Sequence, residues 1–279
     1  MAIPLEDVQW IHGALNCAAS TDPLIQTHRL DEDTFILRVS KCFSYEGNFL
    51  YLLFGSARAI LFDTGGQADD AGAGTLPIRD TVEGIIGRWQ QARGSGAIDL
   101  VVAHTHGHSD HAFWDCQFEG RPNTTVVKPT LATVKSFFGL SNWPEGQGEL
   151  QLGGRTLTVL PLPGHDSSHI AVHDGRTKAL LTGDTLYPGL LTVRDWPAYR
   201  RSAARLADFA RNNEIAHVLG CHIEMKNTPR ELYDVGTTYQ PDEHALPLSA
   251  AHVLEWHAAC EAMATSPHRD VHDDFIIQI

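Results

Sequence analysis

The sequence predicts a mixed α/β protein in which short strands give way to alternating strands and helices. Three observations carry this. Short apolar runs rich in Phe, Leu, Ile and Val recur, separated by glycine-containing turns. Apolar residues at helical spacing occupy other stretches, each bounded by proline, glycine or a capping residue. No internal repeat and no linker of biased composition divides the 279 residues. The chain therefore reads as one domain over residues 1–279, with an N-terminal extension (1–32) packed on the body and a C-terminal helical cap from about 227 to 279.

Taken in order, Thr34 to Val39, Phe49 to Phe54 and Ala59 to Phe62 are β-rich runs punctuated by Gly47-Asn48 and Gly55-Ser56. Ile78, Val82, Ile85, Ile86 and Trp89 form a helical stripe between Pro77 and Gly94, and Leu100 to Ala103 is a buried strand. Thr124 to Val127 reads as a strand, and Leu131, Val134, Phe137 and Phe138 as a helix face. Two hairpins follow, one turning at Gly153-Gly154 and one at Asp174-Gly175. Asp195-Trp196-Pro197 supplies an N-cap and an early proline for a helix with Tyr199, Ala203, Leu206 and Phe209 inside. Ile215 to Leu219 is a strand, Ser249 to Ala264 a helix, and Phe275 to Ile279 a terminal strand.

Apolar content of 43% and charged content of 20% are ordinary for a folded globular chain. A net charge of −13, from 21 basic and 34 acidic residues, argues against a nucleic-acid partner, which needs Lys and Arg against phosphates. No apolar run approaches the roughly 18 residues that span a bilayer, and no basic-then-apolar leader opens the chain. The five cysteines are scattered and odd in number, which reads as free thiols in a reducing compartment, so the expected location is cytoplasmic. The expected partner is a small-molecule substrate, and a homodimer is compatible with the sequence.

Chemistry concentrates after the Leu100 to Ala103 strand, in HTHGHSDH. His106, His108, Asp110 and His111 are four ligand-type side chains within six residues. In extended backbone, His106 and His108 project to one side and can share an ion, while Asp110 and His111 suit a second ion nearby. Three further segments end apolar strands: Pro163-Gly164-His165, with His169 four residues on, Thr182-Gly183-Asp184, and Gly220-Cys221-His222. Asp63, in Asp63-Thr64-Gly65-Gly66, reads equally as a turn residue or as a functional carboxylate.

Together, FDTG, HTHGHSDH, PGHDSSH, TGDT and GCH resemble the five motifs of the metallo-β-lactamase superfamily, over about Thr34 to His222. The resemblance implies a four-layer αββα sandwich with a binuclear metal site, usually two zinc ions, with iron or manganese as alternatives. It implies one metal on His106, His108 and His165, the other on Asp110, His111 and His222, and Asp184 bridging both, with a shared hydroxide as nucleophile. Asp63 would orient ligands by hydrogen bonds, as would His104 and His169. Tyr187 stands where several hydrolases of this superfamily carry an aromatic residue facing the substrate, and its hydroxyl would polarise a carbonyl or assist the leaving group. Cys221 reads as a small buried neighbour.

His108 stands where diiron oxygen-reducing members carry glutamate, which favours hydrolysis over redox chemistry. His222 follows Asp184 by only 38 residues, too few for the inserted domain of the superfamily's nucleases. GDTLYPG resembles hydroxyacylglutathione hydrolases, but Ala112, Phe113 and Trp114 replace the glycines often found there, and only 57 residues follow His222. Lys226 and Arg230 are candidate contacts for an anionic substrate, and the tail is a candidate lid. The expectation is a zinc hydrolase of a small carboxylic ester, lactone or thioester, with Asp110, Asp184 and Tyr187 as its catalytic side chains. The rivals are a phosphodiesterase on the same metals, an iron-dependent thiol dioxygenase, and a metal-binding sensor without turnover.

Overall fold

The computed structural model describes residues 4–70, 72 and 74–279. Its first sheet runs β1 (Ile25–Asp31), β2 (Thr34–Val39), β3 (Phe49–Phe54), β4 (Arg58–Phe62), β5 (Asp99–Ala103) and β6 (Thr124–Val126) in spatial order. β1 to β4 are antiparallel, and β4, β5 and β6 are parallel neighbours. α1 (Ile78–Arg93) is the crossover that a parallel β4–β5 pair requires.

β7 (Gly148–Gln151), β8 (Thr156–Pro161), β9 (Ile170–Asp174) and β10 (Ala179–Gly183) form an antiparallel meander in the second sheet. After β11 (Leu190–Thr192) and the crossover helix α4 (Trp196–Asn212), β12 (His217–Gly220) joins parallel to β10. The short α2 (Ser109–Ala112) and α3 (Leu131–Phe137) lie between the sheets in sequence. β13 (Pro247–Leu248) extends the second sheet, α5 (Ala250–Ala262) follows, and β14 (Asp270–Val271) with β15 (Ile276–Gln278) pairs onto β11.

The two-residue side-chain period sorts every central strand into two cores. In β3, Phe49, Tyr51 and Leu53 face the inter-sheet core, while Leu50, Leu52 and Phe54 face α1. In β10, Ala179 and Leu181 join that inter-sheet core, and Leu180 points to α4 and α5 among Tyr199, Leu206 and Trp256. Both sheets thus bury two faces, which explains why their strands read as continuous apolar runs. The result is the four-layer αββα sandwich, at roughly 1.5–3 kcal/mol per fully buried large apolar side chain.

Three expectations change. Residues 25–31, assigned to an extension, form edge strand β1, in which Thr27 and Arg29 are exposed while Gln26, His28 and Leu30 are half-buried, so IQTHRLD carries no apolar run. Cys17 and Cys42 form a disulfide, with Cα atoms 5.1 Å apart, leaving Cys116, Cys221 and Cys260 free. The expectation of five free thiols fails because scatter along the sequence says nothing of proximity in space. Within the segment expected as a cap, Val253, Trp256 and Cys260 pack α5 into the outer core beside α4. Among the described residues, no helix is long and apolar enough to cross a membrane.

Candidate metal centre

The parallel pairs β4–β5 and β10–β12 align Phe62 with Ala103 and Gly183 with Gly220. Their C-terminal ends deliver Asp63, His104 to His106, Asp184 and His222 to one edge of the sandwich. β8 adds His165 through Pro163-Gly164, and Ile170 N–H donates to Thr105 O (2.8 Å), tying the two sheets together at that edge.

Six imidazoles and carboxylates from the expected set, and Asp184 as the seventh, converge as two groups that share Asp184. One is His106, His108, His165 and Asp184; the other is Asp110, His111, Asp184 and His222; within each, the ligand atoms lie within 4.8 Å of one another. In the first, His106 Nε2 stands 2.9 Å from His108 Nδ1 and 3.6 Å from Asp184 Oδ2, and His165 Nε2 stands 3.1 Å from His108 Nδ1. In the second, His111 Nε2 stands 2.9 Å from Asp110 Oδ2, and His222 Nε2 stands 3.3 Å from Asp184 Oδ1. Donors about 2.0–2.1 Å from a tetrahedral ion lie roughly 3.3 Å from each other, so these separations match donors around a common centre.

The donor atoms themselves say the same. His111 Nε2 and Asp184 Oδ1 are buried without a hydrogen-bond partner, an arrangement proteins avoid unless something occupies the gap. Burial would lower the pKa of His111 and His222, yet the carboxylates of Asp110 and Asp184 raise both well above the ordinary value. The carboxylates thus favour positive charge at this point.

The remaining ring nitrogens are held from outside. His165 Nδ1 donates to Thr192 O (2.7 Å) and His222 Nδ1 to Glu46 O (2.9 Å). His111 Nδ1 donates to Asp63 Oδ2 (3.0 Å), and Asp63 also accepts from Thr105 N (2.8 Å), Thr105 Oγ1 (2.9 Å) and the Cys221 thiol (3.3 Å). Burial would raise the Asp63 pKa, but His111 and His104 hold it well below the usual carboxylate range. Asp63 is therefore an orienting carboxylate with a left-handed backbone (φ 66°), and its turn position is incidental. His104 sits between Asp63 and Asp115. His169 Nε2 accepts from the Asp184 N–H (3.1 Å); burial, with His165 beside it, pushes its pKa down to about 3, so it is a neutral acceptor. Gly183 makes that contact possible: at φ 50°, a Cβ there would lie 2.7 Å from His169 Nε2.

Tyr187 departs from the expectation. Its hydroxyl donates to Leu190 O (2.9 Å) and Glu224 Oε2 (3.0 Å), and its ring packs 5.6 Å from His222. Its ring thus lies against His222, and its hydroxyl is engaged by Leu190 and Glu224. Glu224, which also accepts from Leu190 N (2.7 Å), was not singled out from sequence; its one signal is a carboxylate between buried Ile223 and Met225. Asn48, donating to Asp110 Oδ2 (3.2 Å), and Asp115 were missed likewise. Lys226 and Arg230 are paired with Glu231 and Asp273, away from the centre.

A family model, the metallo-beta-lactamase superfamily, matches residues 46–222. The chain is 26% identical to the acyl-coenzyme A thioesterase MBLAC2 of Bos taurus over 225 residues, covering 68% of this chain and 77% of that one. It is 30% identical to a hydroxyacylglutathione hydrolase of Hyphomonas neptunium over 86 residues, covering 31% and 33%. Among solved structures, the DIM-1 metallo-beta-lactamase exposed to ceftazidime aligns with a TM-score of 0.54 at 14% identity, covering 87% of this chain and 99% of that one. A metallo-beta-lactamase from Erythrobacter litoralis aligns at 0.53 and 13% identity, covering 87% and 99%. These two likenesses concern the fold.

Proposed function

From the premise that the chain belongs to the metallo-beta-lactamase superfamily and is a metal-dependent hydrolase, we propose that it is a binuclear zinc enzyme acting on a small carboxylic thioester. Esters and lactones are the neighbouring substrates. The observation that carries the reading is the pair of four-donor groups sharing Asp184. His106, His108 and His165 would hold one zinc, Asp110, His111 and His222 the other, and Asp184 both. When bound, the pair supplies a water ionised near neutral pH and a Lewis acid for the carbonyl.

The chain's residues do the rest. The carbonyls of Thr192 and Glu46 and the carboxylate of Asp63 take the outer N–H of His165, His222 and His111, so each imidazole turns its Nε2 lone pair inward. Asp184 and the more accessible Asp110 orient the attacking water through their carboxylate oxygens. With the Tyr187 hydroxyl spent on Leu190 and Glu224, this side chain offers no proton donor for a leaving group. A thiol, with a pKa near 8.5, leaves as its anion without one; an alkoxide, nearly as basic as hydroxide, does not. That asymmetry favours thioesters, as do the acyl-coenzyme A and hydroxyacylglutathione substrates named for the relatives.

The test is a rate panel on zinc-reconstituted protein with a thioester, a lactone, an aryl ester, a phosphodiester and a β-lactam, repeated with Asp184→Ala. The thioester is expected to dominate and to depend on Asp184. Rates indifferent to Asp184, or a phosphodiester preference, would overturn the proposal.

A further inference from the structure

Beside the His165 end of the centre, the surface opens into a groove of about 450 Å³. Leu131, Trp143 and Pro144 give its lining an apolar part, and His165, Arg194 and Arg201 line it as well. The main chain fixes Arg194 relative to the metal ligands. The N–H groups of Arg194 and Asp195 both donate to Gly164 O at 2.9 Å, and His165 donates to Thr192 O, so one small knot holds ligand and arginine together.

Charge gives the groove its character. Among the described residues, Arg194 and Arg201 are exposed and joined to no carboxylate, whereas their neighbour Arg200 is paired with Glu261. The two acids in the groove are already engaged. Asp195 caps α4 by accepting from Ala198 N (3.0 Å), and Asp166 accepts from Ser168 N (2.8 Å) and Ser168 Oγ (2.7 Å). The groove thus balances two guanidiniums against two carboxylates, but the carboxylates are turned to Ser168 and Ala198 while the guanidiniums have no partner among the described residues, so the arginines are its free groups for an anion.

Resting on the thioester reading above, we propose that this groove receives the leaving-group side of the substrate, and that Arg194 and Arg201 select thiols carrying an anionic tail. Guanidinium forks match phosphate and carboxylate alike, and charge-assisted bonds to them are the strong ones. The apolar part of the lining shelters the linking part of the thiol, and the acyl group lies on the far side of the scissile bond.

The experiment uses zinc-loaded protein and the exposed double variant R194Q/R201Q. Calorimetric titration with S-methyl-coenzyme A and with S-methylglutathione, whose blocked sulfurs cannot bind zinc as thiolates, reads the groove without turnover. At least one probe is expected to bind the double variant about tenfold or more weakly. Loss confined to the coenzyme A probe identifies phosphate, and loss confined to the glutathione probe identifies carboxylate. In steady state, the preference for the matching thioester over the same acyl group on uncharged N-acetylcysteamine should fall by a similar factor, through KM. Unchanged affinity for both probes, or equal loss on charged and uncharged thioesters, would overturn the proposal. Arginine-dependent probe binding without any thioester turnover would keep the groove and remove the reaction assigned above.

Discussion

Replacing Asp63 by asparagine tests how the centre is held. Four donors converge on its two oxygens: Thr105 N on Oδ1, and Thr105 Oγ1, His111 Nδ1 and the Cys221 thiol on Oδ2. The backbone donor cannot turn away, so the amide oxygen of the variant stays at the Oδ1 position and its NH2 takes the place of Oδ2. The hydroxyl and thiol can rotate to accept from that NH2. His111 can accept only by moving its proton to Nε2, the nitrogen that faces Asp110 and Asp184. Metal binding must then reverse the shift, and losses of this outer kind run to about 10–100-fold, or about 1.4–2.8 kcal/mol. Asp63 touches none of His106, His108 and His165 directly, so on the two-zinc proposal the loss should fall on the ion assigned to Asp110, His111 and His222. Competition against a chromophoric chelator should show one of the two proposed zinc-binding steps weakened in Asp63→Asn relative to the native protein, and the other unchanged. Two unchanged steps, or two equally weakened ones, would refute the reasoning.

Other consequences concern the scaffold and the rim. Arg155 is buried and bonds Asp174 through two nitrogens, Thr34 Oγ1, and the carbonyls of Asp33 and Phe54, joining β8 to the first sheet. Arg155→Met removes the guanidinium from the buried Asp174 and leaves it only the Arg176 and Thr177 N–H groups and the Thr177 hydroxyl, so urea unfolding should show a loss of about 3 kcal/mol. If the Tyr187 hydroxyl donated in the transition state, Tyr187→Phe would lower kcat about 10²–10³-fold; bonded as it is to Glu224 and Leu190, the loss should stay below about tenfold. Lys41 is buried with Arg38, Glu243, Glu224 and Glu46 around it, and burial, reinforced by Arg38, lowers its pKa to about 8. The unfolded chain holds that proton up to the ordinary value of 10.5, so folding is penalised below pH 8 and the penalty fades as pH rises to 10.5. The stability difference between the native protein and Lys41→Met should be flat below pH 8 and move in the native protein's favour by about 3 kcal/mol between pH 8 and 10.5; parallel curves would contradict this.

What the sequence made legible follows from where each signal is written. β3 and β10 bury both faces, so their composition alone marks them. β1 lies at a sheet edge with Thr27 and Arg29 exposed, and its run of four polar residues from Gln26 to Arg29 looks like loop. β11 exists by pairing with β15, more than eighty residues later, a contact no local pattern carries. The metal-type ligands were legible because a histidine or aspartate just past an apolar strand has few other reasons to recur four times. Tyr187 was placed near the centre by spacing, but its direction was set by Glu224, beyond the reach of a motif.

The partners that hold the ligands are of two kinds, and this explains why two of the three stayed hidden. Asp63 is a side chain in a recognisable turn and could be weighed in advance. Glu46 O and Thr192 O are main-chain atoms, and any residue at those positions would offer the same carbonyl. Their positions are fixed by other parts of the fold: β11 is held by β15, and Asn48, in the Glu46 loop, also reaches Asp110. The C-terminal segment, expected as a cap, therefore acts on the centre indirectly. By pairing β15 with β11, it sets the carbonyl that turns His165 inward, and the same stretch leads through Val193 to Arg194. Ligand orientation and groove charge thus depend on one strand pairing, so a substitution that loosens β15 should disturb both together.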